Sequence, residues 1–199
     1  MTSIFNKTIS IYFIPFFLGV VTSFSLPPYS FLLINFITFP TLLFFLILNC
    51  KKSLWSTFVI GWSFGFGYFI SNLYWITNAL TFEEIFKPLI PFALILIPLF
   101  LGIFYGLVTL ICSLFNLKKN FSTILIFAIV FSLLEFMRGF ILGGFPWNLI
   151  VYSWTDYLYS LQILSIIGTY AFNLISITIF SIFLYFFFKK NLKSKTFLI

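Results

Sequence analysis

Arg138 is the sole arginine of this 199-residue chain, and Glu135, one of its four acidic residues, stands three positions before it. That spacing puts both side chains on one helix face, within ion-pair reach. The run around them, 121–142, is otherwise apolar, and charges at membrane depth are costly enough to mark function by default. Two roles fit. The pair can be a strut that pins its helix to its neighbours. Alternatively, Arg138 can offer its planar fork of donors to a lipid phosphate or another anion near the outer end of the helix. The sequence Gly143-Gly144-Phe145-Pro146-Trp147 that follows cannot continue as a regular helix and predicts a shaped loop at the membrane surface. Glu135, Arg138, Gly144, Phe145, Pro146 and Trp147 are therefore the candidate lipid or substrate platform.

Little else in the chain could do chemistry. Histidine is absent, which removes the usual acid–base group and the commonest metal ligand. Cys50 and Cys112 each lie near a lysine pair, outside any Cys-x-x-Cys motif, so neither a disulfide nor a metal site is expected. Glu83 and Glu84 are adjacent on a loop and read as a solvated face. There is no Gly-x-Ser-x-Gly elbow and no phosphate loop. No cofactor and no metal is expected.

The elements that must carry these residues are membrane helices. The composition is 62% hydrophobic and 8% charged, against roughly 25% charged residues in a soluble domain. Six apolar runs can be marked, at 9–25, 29–49, 54–79, 89–115, 121–142 and 158–188, each long enough to cross a bilayer. The last exceeds what crossing needs, so its start is expected to ride along the interface. The fold class is thus an all-α membrane protein, a polytopic bundle of six transmembrane helices forming a single domain over residues 1–199. No cleavable signal peptide is expected, since the first run has no small-x-small site before Pro27-Pro28.

The net charge of +7 sits in lysine pairs between apolar runs rather than on a basic face, which argues orientation and not nucleic acid. If the six runs alternate, Lys7, Lys51, Lys52, Lys118, Lys119, Lys189, Lys190, Lys193 and Lys195 share one side, with Lys87 alone opposite. The positive-inside rule then puts both termini in the cytoplasm and sends the Glu83-Glu84 and Phe145-Pro146-Trp147 loops outward. Trp147, Trp154, Tyr152, Tyr157 and Tyr159 suit an interfacial aromatic belt. Polar residues recur at helical spacing on the third run (Ser63, Gly67, Ser71, Asn78, with Asn72) and on the sixth (Gln162, Ser165, Thr169, Asn173, Ser176). Interhelical hydrogen bonding is their simplest reading, a substrate lining the other. Gly61/Gly65, Gly102/Gly106 and Gly139/Gly143 are spaced for close helix packing.

Three stretches resemble the apolipoprotein N-acyltransferases: Phe16-Phe17-Leu18-Gly19 through Leu26-Pro27-Pro28-Tyr29; Gly61-Trp62-Ser63-Phe64-Gly65-Phe66-Gly67-Tyr68-Phe69 with Asn72 and Tyr74-Trp75; and Glu135-Phe136-Met137-Arg138-Gly139 to Gly144-Phe145-Pro146-Trp147 with Tyr152-Ser153. The resemblance implies acyl transfer from a phospholipid to the amino group of a diacylated lipoprotein cysteine, in the bacterial inner membrane with chemistry on the periplasmic side. It also implies a nitrilase-like domain with a catalytic glutamate, lysine and cysteine, and no such domain is found within these residues. Cys50 and Cys112 fall on the cytoplasmic side, with no base near in sequence, and cannot replace that nucleophile. The expectation is therefore the membrane part of such an enzyme, truncated or split from its catalytic domain and inactive alone. Two other readings remain open: a lipid-binding scaffold that pairs with a separate nitrilase-like protein, and a small transporter.

Overall fold

A computed structural model describes residues 2–51, 53–186 and 189. Lys52, Lys190, Lys193 and Lys195, and Phe187 and Phe188 at the end of the sixth run, lie outside the described residues. Among those described, every regular element is helical. The helices are α1 (Thr2–Ser23), α2 (Asn35–Asn49), α3 (Leu54–Asn72), α4 (Ile90–Leu114), α5 (Phe121–Arg138), α6 (Leu158–Ile167) and α7 (Thr169–Ser181), with short 3₁₀ turns between them. Among the described residues, four helical stretches are long and apolar enough to cross a membrane: Leu32–Asn49, Glu84–Leu114, Phe121–Arg138 and Thr169–Phe186. The chain is a multi-pass membrane protein.

Helix starts follow from local chemistry. Ser53 caps α3 by accepting from the Ser56 N–H at 3.3 Å, and Asn120 caps α5 by accepting from the Thr123 N–H at 3.2 Å. Such side chains satisfy amide groups that a helix start leaves unpaired.

Helix α3 packs against α1 and α4 at backbone contact. A methyl group at Gly67 would sit 2.1 Å from the Phe16 carbonyl oxygen, and one at Gly61 would sit 2.0 Å from that of Tyr105. Where two backbones meet this closely only glycine fits, so Gly61, Gly65 and Gly102 serve packing as their spacing predicted. Thr109 locks the α3–α4 seam, donating to the Thr57 carbonyl at 2.6 Å and accepting from the Gly61 N–H at 3.1 Å. Phe39, Phe64, Tyr68, Phe69, Tyr105, Phe127, Phe131 and Phe180 fill the interior, all buried. Most of their rings meet edge-on or tilted, as between Tyr105 and Phe131 with centroids 4.7 Å apart, while Phe64 and Tyr68 stack in parallel with centroids 6.5 Å apart, both geometries that aromatic quadrupoles favour when the rings are offset.

Residue pairings show α3 antiparallel to α4, α4 to α5, and α5 to α7. Lys51, Lys118 and Lys119 therefore gather at one end of the bundle, and Glu83, Glu84 and Lys87 at the other. Several boundaries differ from the sequence reading: α1 begins at Thr2 rather than at 9, and α2 at Asn35 rather than at 29, after a short 3₁₀ turn. The third run leaves the α-helix at Asn72, and Tyr74–Thr81 winds as a 3₁₀ helix. The fifth run stops at Arg138 rather than at 142. The sixth run breaks at Gly168, whose φ of +79° ends α6 and turns the chain into α7. Ten-residue α6 has no buried residue. The Gly139/Gly143 spacing is not a packing pair. Gly139 caps α5 and is packed, a methyl group there lying 2.2 Å from the Tyr170 hydroxyl, while Gly143 has φ +87° and open space around it.

Candidate functional site

Helix α5 ends where glycines let the chain reverse. Gly144 has φ +77°, and a methyl group there would lie 2.3 Å from the Gly139 carbonyl oxygen, so the fold-back demands glycine twice over, by conformation and by space. The Phe145 N–H then returns to the Arg138 carbonyl at 2.8 Å. Beyond this point the segment does not stay on the surface. Leu149, Ile150, Val151 and Ser153 are buried, and Trp154 reaches well down α7, donating to the Ser176 hydroxyl at 2.9 Å and stacking on Phe180 with centroids 5.7 Å apart. Trp154 is thus half-buried, its ring lying against α7.

A non-helical segment inside the bundle must have its backbone polar groups met by protein. Here buried side chains do this residue by residue. Four consecutive carbonyls, 145 to 148, each accept from a side chain. Arg138 Nη1 donates to Phe145 and to Trp147, both at 3.0 Å. The Tyr152 hydroxyl donates to Pro146 at 3.1 Å, and the Tyr68 hydroxyl to Asn148 at 3.0 Å. Asn148 itself takes a left-handed conformation, φ +56°. Further along, the Val151 N–H donates to Asn173 Oδ1 at 2.9 Å. A phenol with a pKa of about 10 is protonated at neutral pH, so the Tyr152 hydroxyl is a donor.

The charged pair sits beneath this loop. Arg138 Nη2 lies 3.5 Å from Glu135 Oε1, and both side chains are fully enclosed. The guanidinium carbon is 5.2 Å from the centre of the Phe69 ring and 5.6 Å from that of Phe145, so one ring from α3 and one from the loop flank the charge. Glu135 accepts from the Tyr105 hydroxyl at 2.7 Å and from Asn173 Nδ2 at 2.5 Å. A buried carboxylate is tolerable only with such a full set of donors. Arg138 Nε alone has no partner among the described residues.

Of the six platform residues predicted from sequence, the structure brings all together at one end of the bundle and divides them by exposure. Glu135 and Arg138 are interior, holding the loop. Gly144, Phe145 and Pro146 are half-buried and Trp147 is 53% exposed. Two hollows flank them. An outer cavity of about 490 Å³ is lined by Ser23, Asn72, Trp75, Trp147, Asn148 and Tyr152, among others, without a charged residue. An apolar cleft of about 240 Å³ runs between Ile97, Phe100 and Phe104 of α4 and Ile141, Gly144 and Phe145, with Arg138 in its wall. The polar stripes divide similarly. Asn173 and Ser176 are buried and partnered, Ser71 bonds its own helix at Gly67, and Gln162, Ser165 and Asn78 are exposed. Sequence reasoning missed Tyr68 and Tyr105 as partners of the loop and the carboxylate. Tyr68 stands inside the glycine-rich motif already singled out, whereas Tyr105 carries no signal of its own. Among the described residues, no three His, Cys, Asp or Glu side chains converge as a metal site.

A model of the apolipoprotein N-acyltransferase N-terminal domain matches residues 18–187. Among characterised relatives, apolipoprotein N-acyltransferase of Rhizobium etli (strain CIAT 652) is 35% identical over 172 residues, 82% of this chain and 32% of the relative. The enzyme of Sinorhizobium medicae (strain WSM419) is 31% identical over 177 residues, 85% of this chain and 33% of the relative. That of Brucella melitensis biotype 1 is 32% identical over 174 residues, 83% of this chain and 32% of the relative. The chain thus spans about a third of the length of the curated relatives it matches.

Proposed function

Because the chain belongs to the apolipoprotein N-acyltransferase N-terminal domain family, we propose that it is the membrane part of an enzyme that N-acylates bacterial lipoproteins from a phospholipid donor. The observation that carries this reading is the loop of residues 144–148, held in place by Arg138, Tyr68 and Tyr152 between an aromatic polar cavity and an apolar cleft. A lipid substrate needs both kinds of surface, one for its polar end and one for its chains. In this reading Glu135 and Arg138 shape the platform from within, and Gly144, Phe145, Pro146 and Trp147 present it.

The chain would cross the bacterial inner membrane six times, with α6 along the interface and α7 completing the sixth crossing. Both termini would be cytoplasmic, by the positive-inside rule, and the Glu83-Glu84 and Phe145-Pro146-Trp147 loops periplasmic. These 199 residues would bind phospholipid or lipoprotein without turning it over. Cys112 is buried in α4, and Cys50 lies just beyond α2, both toward the lysine end and far from the loop. The nucleophile would come from a nitrilase-like domain acting with this membrane part.

An acyl-transfer assay on the purified chain, with and without a separately supplied nitrilase-like domain, tests the reading. Lipid binding with transfer only when that domain is added is the expected result. Turnover by the 199 residues alone, or no lipid binding at all, would overturn it. Of the polar stripes on the third and sixth runs that left room for a scaffold reading, Asn173 and Ser176 of α7 find partners inside the chain.

A further inference from the structure

The segment from Tyr74 to Phe92 carries more exposed apolar surface than a water-facing loop can hold cheaply. No residue of its two 3₁₀ turns, Tyr74–Thr81 and Glu84–Leu89, is buried. Phe82 is 88% exposed and Ile85 75%, and Tyr74, Phe86, Leu89 and Phe92 stand open as well. Contiguous apolar surface of this kind marks contact with a membrane or another protein.

Length decides between the two. The apolar helical stretch Glu84–Leu114 has 31 residues, which span at least about 46 Å, against about 30 Å of hydrocarbon. The excess must leave the core of the bilayer. Pro88 lies in the 3₁₀ turn and Pro91 at the start of α4, where the missing N–H groups of proline favour a change of direction.

The arrangement of faces agrees. In a 3₁₀ helix residues three apart share a face. Glu84 and Lys87 occupy one face and pair with each other. Ile85 with Pro88, and Phe86 with Leu89, make the other two apolar. One ion-paired face and two apolar ones suit a helix lying in an interface. Tyr74 and Trp75 also line the outer cavity and Ile76 lines the apolar cleft, so this arm forms a wall of both hollows.

We propose that the 74–89 segment is an arm seated in the outer membrane–water interface, with Phe82, Ile85, Phe86 and Leu89 inserted among lipid and the Glu84–Lys87 pair facing water. The bilayer surface is thereby part of the rim of both hollows. With two glutamates and one lysine, the arm has no attraction for anionic headgroups. Its seat rests on apolar insertion alone and does not depend on the acyltransferase reading.

The test uses the full chain with Cys50→Ser and Cys112→Ala, reconstituted in phosphatidylcholine vesicles with and without phosphatidylglycerol. Single cysteines replace Phe82, Ile85 or Glu84 and carry a bimane label. Brominated lipid should quench labels at 82 and 85 more than about twofold better than aqueous iodide does, with the order reversed at 84 and no change on adding anionic lipid. Iodide reaching 82 and 85 as readily as 84 would overturn the proposal. Labels at 82 and 85 shielded from both quenchers would also overturn it, in favour of a protein partner. Quenching at 82 and 85 that requires phosphatidylglycerol would refute apolar insertion as the cause.

Discussion

Asn173 on α7 donates to Glu135 Oε2 on α5 at 2.5 Å, while its side-chain oxygen accepts from the Val151 N–H at 2.9 Å. One amide thus joins the buried carboxylate to the buried loop. Because Tyr105 holds the other carboxylate oxygen, a single chain of hydrogen bonds runs from α4 through α5 and α7 to the loop. Fully satisfied networks of this sort specify one packing, and half-satisfied ones are costly.

Asn173→Ala should therefore destabilise the protein by more than its size suggests. It leaves the Val151 N–H without an acceptor and Glu135 short of a donor, each costing about 1–3 kcal/mol. Asn173→Gln, which keeps the chemistry but misplaces it, should recover only part of this. Thermal unfolding in detergent, followed by near-ultraviolet circular dichroism, checks both. A melting temperature for Asn173→Ala within error of the parent would show the bridge to be idle.

Arg138→Ala removes the partner of an enclosed carboxylate and leaves the carbonyls of Phe145 and Trp147 without a donor. Leaving one charge of a buried pair alone costs on the order of 3–5 kcal/mol. Arg138→Lys keeps the charge but offers a compact ammonium in place of a fork, so it should hold one carbonyl at best and fall between. The double variant Arg138→Met with Glu135→Gln should be less harmful than Arg138→Ala, since no lone charge remains. Unfolding measurements on the three variants, and quenching of Trp147 by an aqueous quencher as a report on the loop, give the ranking. A single-site alanine no worse than the double variant would show that the charges are not coupled.

What the sequence displayed and what it hid have physical causes. Apolar runs, caps and lysine pairs are local signals, and the helices α2, α4 and α5 begin or end close to where these place them. The interior path of 149–154 left no such mark. Leu149, Ile150 and Val151 are as apolar as a surface belt would be, and Trp154 as aromatic. A distant donor, Tyr68 on the Asn148 carbonyl, and a distant acceptor, Asn173 on the Val151 N–H, make burial of that backbone affordable. Asn173 was visible as one of a polar stripe, but the stripe could not name Glu135 as its partner. The helix of the third run ended early for a related reason, because Tyr74 to Ala79 continues its apolar character while the chain tightens into a 3₁₀ turn.

The glycines give a graded prediction. At Gly67 a methyl group would strike the Phe16 carbonyl at 2.1 Å, and backbone cannot step aside as a flexible side chain can. Gly67→Ala should cost about 1–3 kcal/mol or more as overpacking. At Gly143 there is open space, and only the positive φ opposes a side chain, a cost of roughly 1–2 kcal/mol. Gly143→Asn should be milder still, since asparagine tolerates that conformation. Comparing melting temperatures of the three checks the order, and Gly67→Ala proving the mildest would contradict backbone contact between α1 and α3.

The two native cysteines report both burial and sidedness. Cys112 is buried within α4, whereas Cys50 is half-buried in the turn after α2, its thiol 3.3 Å from the Ile47 carbonyl. A thiol must reach solvent to be alkylated, so Cys50 should react with a maleimide in the folded protein and Cys112 only after unfolding. Lys51 adjoins Cys50, and the lysine end of the bundle is the one the positive-inside rule assigns to the cytoplasm. A membrane-impermeant maleimide should therefore label Cys50 in inside-out vesicles and leave it untouched in intact spheroplasts. A cysteine introduced by Glu84→Cys, at the opposite end beside Lys87, should show the reverse pattern. Labelling of Cys50 from outside the cell would invert the orientation, and equal labelling of both positions from one face would break the separation of the two ends on which the site's placement depends.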